Sequence, residues 1–150
     1  MSTRETALAA LATALVAAVA VVPPAVAPPV LRNEPIPQRV PPQGLLILLD
    51  GETQQETPIL SPLRFQIEHA AELVVIMPGA TAAARTSAMD ALLVKISAGL
   101  VGARTLSGAV EFCTPGAATF DAVDFDGAAA MRSALVPINL TFTAPGSALA

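Results

Sequence analysis

A chain of 150 residues with one histidine, His69, and one cysteine, Cys113, has few routes to chemistry. Acid–base catalysis or a transition-metal site would have to pass through His69. In the alternating stretch that begins at Leu63, His69 falls on the side of Ile67 and Ala71, and Glu68 and Glu72 fall on the other. No carboxylate is supplied locally to orient the ring, so a structural histidine with satisfied hydrogen bonds is expected. Cys113 lies between Phe112 and Thr114 with no histidine near it in sequence. It reads as a small buried apolar residue rather than a nucleophile. Asp121, Asp124 and Asp126, followed by Gly127, faintly echo a calcium loop. The alternate-position ligands and the closing glutamate of such a loop are missing, and a solvated acidic loop is expected. The glycine-rich phosphate signatures, the nucleophile elbow and the zinc-protease helix are all absent. No enzyme is expected, and neither a cofactor nor a metal.

Composition narrows the classes further. The eight Lys and Arg are scattered singly against twelve Asp and Glu, a net charge of −4, so no basic stripe exists to neutralise nucleic-acid phosphates. The chain lacks Trp and Tyr, which removes the usual stacking platforms for bases and sugars. Charged residues make up only 13%, a sparse surface that suits packing against other copies or partners. One cysteine excludes an internal disulfide framework.

The uncharged run Ala7–Val22 sets the compartment question. A secretory signal requires a positive start and a cleavable small-residue site, but Arg4 is followed by Glu5, and Pro28 follows Ala25-Val26-Ala27. A membrane span needs about 20 apolar residues, more than this alanine-rich run supplies. A helix over 1–22 accounts for more. Ser2-Thr3-Arg4-Glu5 forms a capping box, in which Ser2 accepts from the Glu5 amide and Glu5 reaches back. Leu8, Leu11, Leu15, Val19 and Val22 recur on one helical face, and Pro23-Pro24 ends it.

Residues 23–43 are proline-rich and read as an extended connector. It is either a stiff linker laid across its own domain or an arm that reaches a neighbour. Leu45–Leu49 forms a strand buried on both faces, Asp50-Gly51 starts a turn, and Glu52–Thr57 makes a hairpin tip. Phe65–Met77 is a long half-buried strand ended by Pro78-Gly79. Thr81 caps a second helix with Met89, Leu92, Leu93, Ile96 and Leu100 on its apolar face, fraying at Gly99 and Gly102. A short strand is expected around Val110–Cys113, then a polar loop Thr114–Gly127 and an alternating strand over Ala134–Phe142. The residues from 144 to 150 form a loose tail. The expected fold is α+β: a mainly antiparallel sheet of about four strands, with two helices packed on one face and a Pro-rich connector. Residues 1–150 make one domain, with the sheet and second helix in 44–143.

Several segments together resemble the tail terminator (minor tail, tail-completion) proteins of long-tailed phages and gene transfer agents. They are MSTRETALAALATAL, VLRNEPIP, the pair LILLDGE and SPLRFQIEHAAELVVIMPG, then TSAMDALLVKISAGL and RTLSGAVEF. ALVPINLTFTA matches in pattern only, and PPAVAPPV is longer than the family's pattern. The resemblance implies a non-enzymatic ring, typically a homo-hexamer, at the head-proximal end of the tail tube of a virion assembled in the bacterial cytoplasm. Such a ring halts tube polymerisation and presents a surface to head-completion or connector proteins. DNA passes through its lumen without specific binding, and no membrane is involved. Under that implication Arg32 and Glu34 are candidates for an intersubunit polar contact. Asp50, Gly51, Glu52 and Thr53 are candidates for contact with a neighbour or the tube. The plainer account of each is a solvated loop. Another neck or head-closure component, or a small non-viral binding protein, is the alternative class.

Overall fold

The structure of the chain, a computed structural model, describes residues 1–123 and 130–147. Its elements run α1 (Thr3–Ala18), β1 (Val30–Arg32), β2 (Leu45–Ile59), β3 (Arg64–Pro78), α2 (Ala82–Gly102), a 3₁₀ turn (Leu106–Gly108), β4 (Phe112–Pro115), β5 (Thr119–Val123) and β6 (Met131–Pro145). The fold is α+β with two helices and a mixed sheet of six strands, ordered β1-β2-β3-β6-β4, with β5 also on β6. β1 and β2 are parallel and every other pair is antiparallel.

Both helices lie on one face of the sheet. Leu8, Leu11 and Leu15 of α1 and Met89, Leu92, Ile96 and Leu100 of α2 join Leu46, Leu48, Leu73, Val75, Ile138, Leu140 and Phe142 in one buried core. The Ser2 hydroxyl accepts from the Glu5 amide at 3.1 Å. The return half of the expected capping box does not form, because the Glu5 carboxylate is turned to Arg32 instead. α1 also stops earlier than expected, capped by Val19, and Val22 is 83% exposed. A residue before proline is driven out of the helical region, so the last turn closes upstream of Val22-Pro23.

α2 starts as expected, with the Thr81 hydroxyl accepting from the Ala84 amide at 3.1 Å, but it does not fray at Gly99. Gly99 is where α2 crosses α1: a Cβ there would stand 2.3 Å from the Ala18 Cβ and 3.0 Å from its Cα. Gly99→Ala would gain about 1 kcal/mol of helix propensity in an open helix. Here it is expected to lower the melting temperature, and Gly99→Val to lower it more, because the obstruction is partly backbone. Differential scanning calorimetry of the two variants checks the order.

Three further expectations are corrected, and of the two courses left open for the connector one is observed. The connector is not strand-free: Val30–Arg32 pairs with Leu46–Leu48 at the sheet edge, where flanking prolines are tolerated. The same connector lies across its own sheet, with Val40 packed on Leu45, Ile47 and Ile76 on the face away from the helices. The Thr114–Gly127 segment contains β5 and the end of β4; Asp124, Asp126 and Gly127 lie outside the described residues. β6 is longer than expected and takes in Ala144, which is fully buried, and Pro145; residues 148–150 lie outside the described residues.

The largest difference is in the hairpin. Asp50-Gly51 is not its turn. β2 continues through the polar residues to Ile59, and the turn is at Leu60–Leu63. The register shifts between Leu49 and Glu52 and again between Thr53 and Gln55, so the aspartate–glycine pair makes a β-bulge. Gly51 supplies the positive φ, 68°, that such a bulge needs.

Candidate functional site

The bulge organises a polar node that ties α1, β1, β2 and β3 together. Arg32 closes β1, and Asn33, at φ 52°, turns the chain away while its amide donates to the Leu48 carbonyl at 2.9 Å. The Arg32 guanidinium meets Glu5 as a two-pronged fork, Nη1–Oε1 2.5 Å and Nη2–Oε2 2.8 Å. Its Nε donates to Asp50 Oδ1 at 2.9 Å. The Asp50 amide in turn donates to Asn33 Oδ1 at 3.1 Å. Bidentate geometry and a shared cation make this a network rather than a stray surface pair.

His69 sits beneath the bulge, only 2% exposed. Its Nε2 lies 2.5 Å from the Asp50 carbonyl oxygen and its Nδ1 3.2 Å from Thr53 Oγ1. A carbonyl can only accept, so the ring proton belongs on Nε2, and Nδ1 accepts from the Thr53 hydroxyl. The Phe142 ring lies 6.5 Å away between centroids.

The electrostatics follow from this geometry. The Arg32 hydrogen bonds hold the Glu5 carboxyl below its ordinary value. Burial pushes the Asp50 carboxyl up, but hydrogen bonds from Arg32 and Asn33 outweigh it and hold the group below its usual range. Arg32 is pushed up by the same two carboxylates, Glu5 first. Carboxylates that ionise more readily in the folded chain stabilise it above their unfolded values, 4.5 for Glu5 and 3.8 for Asp50, and lose that contribution as the pH falls through the folded ones. Arg32→Met is therefore expected to lower the melting temperature most near neutrality. The gap to the parent chain should narrow steadily below those values. A series of melts across that range checks it; a gap independent of pH would mean that only the arginine's packing matters.

Of the residues singled out in sequence, Arg32, Asp50, Gly51 and Thr53 are brought together here. Arg32 directs its donors inward, so its guanidinium is engaged within the chain. Glu34 and Glu52 stay exposed, Glu52 accepting from Gln54 Nε2 at 3.1 Å. Glu5 was missed because its partner is 27 residues away. Cys113 is fully buried on the helix side of the sheet, and burial pushes its thiol up to about 11, away from thiolate reactivity.

The charged groups of the node, Glu5, Arg32 and Asp50, are hydrogen-bonded to one another. A pocket of about 300 Å³ lies elsewhere, between the end of α1, the connector and α2, lined chiefly by Val19, Val26, Pro42, Met77 and Leu92, with Lys95 at its rim. Among the described residues no three His, Cys, Asp or Glu stand together as ligands for a metal ion. Among them, too, no helix is long and apolar enough to cross a membrane. The node is thus built to hold elements in place. What it holds out is the distal hairpin, Glu52–Ile59, exposed along its whole length. No family model matches the chain, and no curated protein is similar to it.

Proposed function

We propose that this chain is a structural protein of a phage-like particle, a tail terminator that forms a ring on the head-proximal end of the tail tube. The ring stops tube polymerisation and offers the joining surface to head-completion proteins. The observation that carries the reading is the two-faced sheet. One face is sealed by both helices. Over the distal half of the hairpin the other presents Glu52, Gln55, Thr57, Gln66 and Glu68 beside Asn139, Thr141 and Thr143. A polar, net-acidic wall suits a conduit that DNA must traverse without being gripped. The resemblance to tail terminators supplies the rest, and the segments that carry it fall on α1, β1, the β2–β3 hairpin, α2 and the 3₁₀ turn that leads into β4. Loss of the gene tests the reading by experiment.

That experiment is electron microscopy of particles from a producer strain lacking the gene. Headless tails of uncontrolled length are the expected result. Tails of normal length beside unjoined heads would move the protein to head closure, the second reading. Normal particles would overturn both.

A further inference from the structure

The sheet ends in two unlike open edges. On one side β1 covers β2 only at Leu46–Leu48, and beyond the bulge no strand among the described residues lies along the outer edge of Glu52–Ile59. An uncovered strand edge offers its backbone donors and acceptors to another chain. The ribbon carries Glu52 and Glu56 and ends in an apolar tip, where Leu60 is 78% exposed beside exposed Ile59 and Leu63. On the other side β4 and β5 both lie on β6, with no strand beyond them among the described residues. This edge is aromatic, with an arginine over each exposed ring and Asp121 also on β5. Phe112 is 44% exposed with the Arg104 guanidinium 5.0 Å above its ring, and Phe120 is 48% exposed with Arg132 at the same distance.

We propose that the distal β2–β3 hairpin of one copy docks along the β4–β5 edge of a second copy of this chain, head to tail. Charge favours it, since the ribbon carries Glu52 and Glu56 and the edge holds Arg104 and Arg132 over its two exposed rings. Two hairpins meeting each other would instead set glutamate against glutamate. Direction allows it as well. β2, β3, β6 and β4 alternate in sense, so β4 and β5 run opposite to β2. A neighbour rotated about an axis inclined to the strands presents that edge close to antiparallel to the hairpin and offset along it.

β1 fixes the stagger. The pairings Leu31–Ile47, Ile47–Val74, Val74–Leu135 and Leu135–Thr119 put β5 level with β1. β1 stands one strand outside β2, so the neighbour must slide toward the hairpin tip to clear it, and that slide carries Phe112 toward Leu60. A contact between unlike patches closes into rings or grows into filaments. The inference rests on the self-association in the proposed function and not on where the assembly is seated.

Native mass spectrometry of the full chain tests it with a hairpin variant, E56R/L60D, and an edge variant, R104E/F112S, each confirmed folded by circular dichroism. The parent is expected to assemble beyond a dimer and each variant to remain monomeric. An equal mixture of the two should give a heterodimer and nothing larger, since each copy retains one working patch. The charge swap E56R/R104E within one chain should restore assembly, which guards against simple misfolding. A monomeric parent, a variant that still assembles, or a mixture that grows past the dimer would each overturn the interface. An assembled parent indifferent to both variants would do so while leaving the tail reading intact. Normal particles in the gene-deleted strain would have the reverse effect.

Discussion

Gly51→Ala is expected to destabilise the chain by about 2–5 kcal/mol, from a left-handed backbone penalty of about 1–2 and overpacking of about 1–3. A Cβ at this position would lie 1.8 Å from the Ala70 carbonyl oxygen and 2.9 Å from the Ala71 Cα. Both obstacles are backbone of the central strand β3, which is held by β2 on one side and β6 on the other, so neither can retreat. Relief requires opening the β2–β3 ladder at the bulge. That would move Asp50, and with it the acceptor for His69 and the second partner of Arg32. A loss of this size is a large share of the 5–15 kcal/mol that holds a typical domain together. Gly51→Val, with its stiffer β-branched side chain, should leave little folded protein. Urea unfolding of the alanine variant measures the loss directly. A change within about 0.5 kcal/mol, the ordinary surface value, would mean that the bulge is not needed.

The same glycine shows what the sequence could and could not disclose. Aspartate–glycine before a polar run is a strong local hairpin signal. What overrides it is pairing at a distance: Thr57–Ile59 find Arg64–Gln66, and the turn moves to Leu60–Leu63. Local spacing served better where burial alone decides. Leu8, Leu11 and Leu15, and then Met89, Leu92, Ile96 and Leu100, are buried at the helical spacing that marks them. Alternation placed His69 on the core side of β3, and the residue is indeed buried there. The three-residue strand Val30–Arg32 has no period to read and exists only because Leu46–Leu48 offers an edge. β5 carries Phe120 and Asp121 in alternation, too short a run to outweigh its acidic surroundings. The node itself was half legible. Asp50 stood out at a turn signal and Arg32 only through the resemblance carried by its segment, whereas Glu5 had an adequate local role as a helix cap.

His69→Ala is expected to cost about 2–5 kcal/mol, the range for emptying a buried site of this size together with two lost hydrogen bonds. The informative comparison is between two substitutions that roughly keep the volume. A site only 2% exposed and bordered by Phe142 should prefer leucine to glutamine if packing alone governs it. If the histidine matters as the strut under the bulge, the order reverses. A glutamine amide can still donate to the Asp50 carbonyl as Nε2–H does. Leucine leaves that carbonyl without its partner, at about 1–3 kcal/mol. Glutamine should therefore be the milder change, and Thr53→Val milder still, since Thr53 is exposed and loses one neutral bond of 3.2 Å. Hydrogen exchange adds a test that global stability does not contain. With leucine at the site, amides from Glu52 to Ile59 should exchange faster than those of β6, because only the hairpin depends on the bulge for its course. Uniformly faster exchange across the sheet would reduce His69 to a filler of space, and the long hairpin would need another support.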